Sequence, residues 1–142
     1  MNKNGPVVIV EDDPDDQHVL AVVFKELDYP NEVVFFDDGV SALEYLRKDR
    51  VLPFLILCDI NMPRLNGFEL IERVQKDADL SYKCIPFLFL TTSTNAQAVR
   101  KAYKLSAQGL FVKPIGYERM RDTISLMMQY WQVCCSPTRM MV

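Results

Sequence analysis

Paired cysteines, histidine, basic charge and long apolar runs are all scarce in this chain, and each scarcity removes a class of function. The four cysteines, Cys58, Cys84, Cys134 and Cys135, show no CxxC spacing, and His18 is the single histidine. The common zinc ligand sets cannot be assembled from that inventory. The thiols are expected to be reduced, with Cys58 and Cys84 buried. No segment approaches the roughly 18 apolar residues of a membrane span, and the apolar run in MNKNGPVVIV is too short for a secretion signal. A cytoplasmic protein without a membrane role is expected. Lys and Arg number 16 against 19 Asp and Glu, giving a net charge of −3 with no basic stretch. Nucleic acid is therefore not an expected partner.

What is present is an ordinary globular mixture: 142 residues, 49% hydrophobic and 25% charged. That length suits one domain able to bury roughly two-thirds of its unfolded surface. Five short apolar runs punctuate it: VVIV at 7–10, VVFF at 33–36, FLILC at 54–58, Ile85 with FLFL at 87–90, and LFV at 110–112. Continuous rather than alternating, they predict strands buried on both faces. Between them, helical spacing marks about 15–28, 40–47, a stretch opening at Gly67, 95–105 and 117–131, the last carrying Met120, Met127 and Met128 as core filling. Strand and helix alternating five times predict a doubly wound α/β fold with a five-stranded parallel sheet. The tail after the last helix is too short for a second domain.

In such sheets function gathers beyond the carboxyl ends of the strands. The first strand delivers Glu11 and Asp12 at the start of EDDPDD, five carboxylates in six positions. The third delivers Asp59, the fourth Thr91 and Thr92, and the fifth Lys113. Crowded carboxylates repel, so their convergence calls for a cation. Several carboxylates with a nearby carbonyl make a hard oxygen site suited to Mg²⁺, while a lysine and a hydroxyl suit phosphate oxygens. Asp59, alone after a strongly apolar strand, is the candidate nucleophile, since carboxylates form acyl phosphates. Within EDDPDD, Pro14, Asp15 and Asp16 read as a helix start. Asp13 is left open between the two roles, and His18 reads as a surface residue.

VEDD, DINMPRLNG, LTTS and VKP, in this order and at these strand ends, resemble the receiver domain of two-component response regulators over about residues 5–132. The small stand-alone regulators associated with phytochrome-type kinases are the most similar group. The resemblance implies a flavodoxin-like (βα)5 sheet ordered 2-1-3-4-5, with residues 1–132 forming the receiver and 133–142 a tail carrying no output domain. It implies that Asp59 accepts a phosphoryl group from a sensor histidine kinase or phosphotransfer protein in a Mg²⁺-dependent reaction. The protein is then no conventional enzyme, but a phosphoacceptor that catalyses its own phosphorylation and dephosphorylation and switches binding to a downstream protein. Glu11, Asp12 and Asp59 would hold the metal with the backbone carbonyl of Asn61, Asp12 directly and Glu11 through water. Thr91 would be the switch hydroxyl, Lys113 the phosphate-binding lysine, and Lys113-Pro114 a cis peptide.

Two positions depart from the family pattern. Leu110 stands where an aromatic often rotates on phosphorylation, with Phe111 expected on the opposite face of its strand. Thr92 stands where a smaller residue is commoner. A phosphorylation-independent scaffold on the same fold is the alternative reading, although it has no need of Glu11, Asp12, Asp59, Thr91 and Lys113 together. A flavin site is disfavoured, because EDDPDD would repel its phosphate. An aspartyl-phosphate phosphatase would want a carboxylate where Asn61 stands. The apolar tail residues Val133, Cys134, Met140, Met141 and Val142 leave a homodimer or partner contact open.

Overall fold

Each apolar run becomes a strand, and each strand pairs in parallel with its neighbour. The computed structural model describes residues 1–92 and 95–137. Along the chain it runs β1 (Val7–Val10), α1 (Pro14–Leu27), β2 (Val33–Phe36), α2 (Gly39–Leu46), β3 (Leu55–Cys58) and α3 (Gly67–Lys76). It continues through α4 (Ala78–Tyr82), β4 (Phe87–Thr91), α5 (Ala96–Lys104), β5 (Gly109–Val112) and α6 (Tyr117–Val133). The sheet order is β2-β1-β3-β4-β5, as expected. The three central strands are buried along their whole length and the two edge strands only in part.

Alternation along the strands feeds two core layers. Val8, Val10, Ile56, Cys58, Phe87 and Phe89 face the layer completed by α2, α3 and α4 through Leu43, Leu46, Leu70, Ile71 and Leu80. Val7, Ile9, Leu55, Leu57, Leu88 and Leu90 face the other layer, completed by α1 and α6 through Leu20, Val23, Phe24, Met120, Ile124, Met127 and Met128. The methionines are core filling, as their spacing predicts. Leu110 and Phe111 pack against opposite layers.

Local chemistry starts the helices at the mouth of the sheet. Asp13 is the N-cap of α1, its carboxylate accepting from the backbone N–H of Asp15 at 2.8 Å and of Asp16 at 3.4 Å, with Pro14 opening the first turn. Asp38 caps α2 through Ser41 N at 2.8 Å, and Asn95 caps α5 through Ala98 N at 2.8 Å. Asn66 and Glu69 close a reciprocal capping box on α3. Lys83 Nζ donates to the carbonyls of Leu46, Lys48 and Val51 at 2.7–2.9 Å, satisfying the last carbonyl of α2 and fastening the chain that follows it.

Several expectations are corrected. A sixth helix, α4, is too short to show periodicity and rests on the Asp77 cap and the single buried residue Leu80. Cys84 is exposed rather than buried, because it occupies the turn before β4 with a left-handed backbone, φ 51°. Lys113-Pro114 is not cis: no described peptide bond is. The tertiary amide brings the two isomers close in energy, so the dipeptide alone does not select one. Met140, Met141 and Val142 lie outside the described residues.

Gly67 marks the tightest approach to the site. A Cβ there would meet the Asp59 carbonyl oxygen at 2.3 Å and Phe89 at 2.8 Å. Gly67→Ala is expected to lower stability by about 1–3 kcal/mol, since backbone must move to admit the methyl group. Urea denaturation checks this: a midpoint within error of wild type would contradict the packing described.

Candidate functional site

The site residues are continuations of the sheet, and their backbones are held by its ladder. Glu11 N donates to Phe36 O at 2.9 Å, Asp59 N to Val10 O at 3.0 Å, and Lys113 N to Thr91 O at 2.8 Å. These bonds tie the end of β1 to those of β2 and β3 and the end of β5 to that of β4, and the β3–β4 pairing joins the two groups before any side chain acts. Glu11, Asp59 and Thr91 are buried, whereas Asp12 and Asn61 are exposed at the rim.

One carboxylate oxygen from each of Glu11, Asp12 and Asp59 falls within 4.8 Å of the others. At that separation, two carboxylates repel by about 3–4 kcal/mol if the effective dielectric constant is about 20. The Lys113 ammonium offsets this. Its Nζ lies 2.5 Å from Glu11 Oε1, 2.7 Å from Asp16 Oδ2 and 2.9 Å from Asp59 Oδ2, and its side chain is only 9% exposed. Burial alone would lower the lysine's pKa, but its bonds to Asp16, Glu11 and Asp59 raise it above the ordinary value. Glu11 shows the other side of the balance. Burial pushes its pKa up to about 7, despite the opposing bonds from Lys113 and the Asp13 N–H.

Asp59 is oriented by two donors on different oxygens. Ile60 N donates to Oδ1 at 2.7 Å and Lys113 Nζ to Oδ2 at 2.9 Å. The Cys58 thiol donates to the Asp59 carbonyl at 2.9 Å. Thr91 ends β4 beside Val112, the last residue of β5, and Lys113, which follows it. The donor set is all hard oxygen, which fits a small divalent cation such as Mg²⁺ and offers nothing to a soft metal.

Of the sequence-predicted residues, Glu11, Asp12, Asp59 and Lys113 converge directly. Thr91 joins them at the adjoining strand end, and Asn61 sits two residues beyond Asp59 on the loop that leads to α3. The division of EDDPDD needs one correction. Asp13 is a helix cap and Asp15 lies in the first turn of α1 with no ion pair among the described residues, but Asp16 is also the third carboxylate on Lys113. The signal was topological: a first-turn residue of a helix that starts at a strand end faces the same mouth. Gln17 was also missed. Its Nε2 donates to Glu11 O at 2.5 Å and to Asp37 Oδ1 at 2.7 Å, tying α1 to the ends of β1 and β2.

Comparison with known proteins adds a family to this geometry. The model of the response regulator receiver domain matches residues 7–125. Response regulator Rcp1 of Synechocystis is 27% identical over 130 residues, covering 88% of this chain and 87% of its own. The crystal structure of the phosphorylated cyanobacterial phytochrome response regulator RcpA superposes with a TM-score of 0.85 at 26% identity, covering 94% of this chain and 99% of that one. The Mn²⁺-bound form of Rcp1 superposes at 0.81 with 25% identity, covering 94% and 99%.

Glu11 must lose its proton to serve a cation. Divalent-cation affinity is expected to fall about tenfold per pH unit as pH drops below about 7, and to level off above it. Titration calorimetry with Mg²⁺ in two buffers of different ionisation enthalpy reads both the affinity and the released proton. Affinity flat across this range would contradict a protonated Glu11.

Proposed function

The chain belongs to the response regulator receiver domain family, and from that premise we propose that it is a phosphorylation switch of two-component signalling with Asp59 as its phosphoacceptor. Receiver domains as a class work with histidine kinases and downstream targets. The likeness to Rcp1 and RcpA makes a phytochrome-type kinase the first phosphodonor to test. The observation that carries the reading is the convergence of Glu11, Asp12, Asp59 and Lys113 at one mouth. We assign the receiver unit to residues 1–132.

Mg²⁺, held by Glu11, Asp12, Asp59 and the Asn61 carbonyl, would supply charge neutralisation between an anionic phosphodonor and the carboxylates. Asp59 attacks phosphorus through a carboxylate oxygen. The new P–O bond forms as the P–N bond to the donor imidazole breaks, and the nitrogen of the leaving group takes a proton. Ile60 N–H fixes the rotation of the Asp59 carboxylate, so the attacking oxygen is the one facing Lys113. Lys113 then pairs with a phosphoryl oxygen, and the Thr91 hydroxyl donates to another. With Leu110 in place of an aromatic, the change passes from Thr91 through the segment that leads to α5 and through β5, and alters binding of a downstream protein.

Incubated with Mg²⁺ and acetyl phosphate or a cognate kinase, the protein is expected to gain one acid-labile phosphoryl group by intact mass, and Asp59→Asn to gain none. Asp12→Ala is expected to lose both metal binding and phosphorylation. A wild type that binds Mg²⁺ but takes up no phosphoryl group would overturn the reading.

A further inference from the structure

Lys113 carries three N–H donors, and three carboxylates stand within reach of its Nζ: Glu11 at 2.5 Å, Asp16 at 2.7 Å and Asp59 at 2.9 Å. Two of these, Glu11 and Asp59, belong with Asp12 to the cluster that can hold a cation. Asp16 does not. A divalent ion among Glu11, Asp12 and Asp59 repels the ammonium and draws on the same oxygens. Of the three partners, only Asp16 is then unshared.

Asp16 sits in the first turn of α1, where its backbone N–H bonds to the Asp13 cap, so its carboxylate is carried on a fixed helix end rather than a loop. We propose that Asp16 is a positioning residue. It retains the Lys113 ammonium at the mouth of the site when the cation occupies Glu11 and Asp59, and so aims the lysine at a phosphoryl oxygen on Asp59. This rests on the phosphoacceptor reading of Asp59. A role confined to the helix dipole would be shared by Asp15, the next residue in the same turn, which is exposed and makes no ion pair among the described residues.

The matched pair Asp16→Asn and Asp15→Asn separates the two roles, because both remove one charge from the same turn. With acetyl phosphate and saturating Mg²⁺, Asp16→Asn is expected to lower the maximal rate of phosphorylation about tenfold, the loss of one charge-assisted bond. Its Mg²⁺ affinity is expected to change less than threefold, and Asp16→Glu to recover part of the rate. Asp15→Asn is expected to stay within twofold of wild type in both. The ammonium resonance of Lys113, followed by nitrogen-15 NMR with Mg²⁺ and beryllofluoride, is expected to be protected in wild type and Asp15→Asn and lost in Asp16→Asn. Thermal unfolding checks that each variant is folded. An unchanged maximal rate with an unchanged Lys113 resonance in folded Asp16→Asn overturns the inference while leaving Asp59 as phosphoacceptor. Equal losses from both variants also overturn it. A wild type that takes up no phosphoryl group overturns the underlying reading and this inference together.

Discussion

The ammonium of Lys113 is the interaction on which the mouth of this sheet depends. Glu11 and Asp59 are buried beside one another, and a carboxylate pair so placed is unfavourable without a cation between. Lys113 supplies that charge from β5, two strands away from β3 and three from β1, and closes the open end of the sheet. The remaining mismatch shows in Glu11, whose proton is held to about pH 7 by burial even with the lysine in contact. The site thus holds a lysine and, below about pH 7, one proton on Glu11, and it is the carboxylate freed by that proton's loss that suits the cluster to a divalent cation beside the lysine.

Such a balance requires a platform that does not relax. The ladder bonds from Glu11, Asp59 and Lys113 place the three backbones in register, and the two core layers hold the strands that carry them. Gly67 brings the start of α3 against the Asp59 carbonyl, while Gln17 fastens α1 to the carbonyl of Glu11. Rigid strands with a polar mouth divide the labour: the core opposes collapse of the acidic cluster, and the cluster stays concentrated in charge.

Legibility in the sequence followed interaction range. Runs such as VVIV and FLFL announced buried parallel strands because burial on both faces leaves no polar alternation to read. Glu11, Asp12, Asp59, Thr91 and Lys113 were legible because topology puts the strand ends together. Asp16 was not, since its tie to Lys113 spans 97 residues and the same residue type at the same place has a sufficient local reason, the start of α1. Five-residue α4 was invisible to periodicity, and the turn at Cys84 follows from a left-handed backbone that no glycine announced.

The same geometry explains how an event at a buried hydroxyl can reach the surface without a rotating aromatic. Thr91 is fully buried at the end of β4, yet it is paired in register with Val112 of the edge strand, which is 51% exposed. Its carbonyl also holds the Lys113 N–H. On the proposed reading, Thr91 and Lys113 grip the same phosphoryl group from adjacent strands, so drawing them inward moves the ends of β4 and β5 together. Among the described residues β5 is an edge of the sheet, and an edge yields more readily than a strand paired on both sides. Leu110, packed into the layer behind, need only keep its volume filled while this happens. On that reading β5 is one route from phosphate to surface, beside the segment that leads from Thr91 to α5.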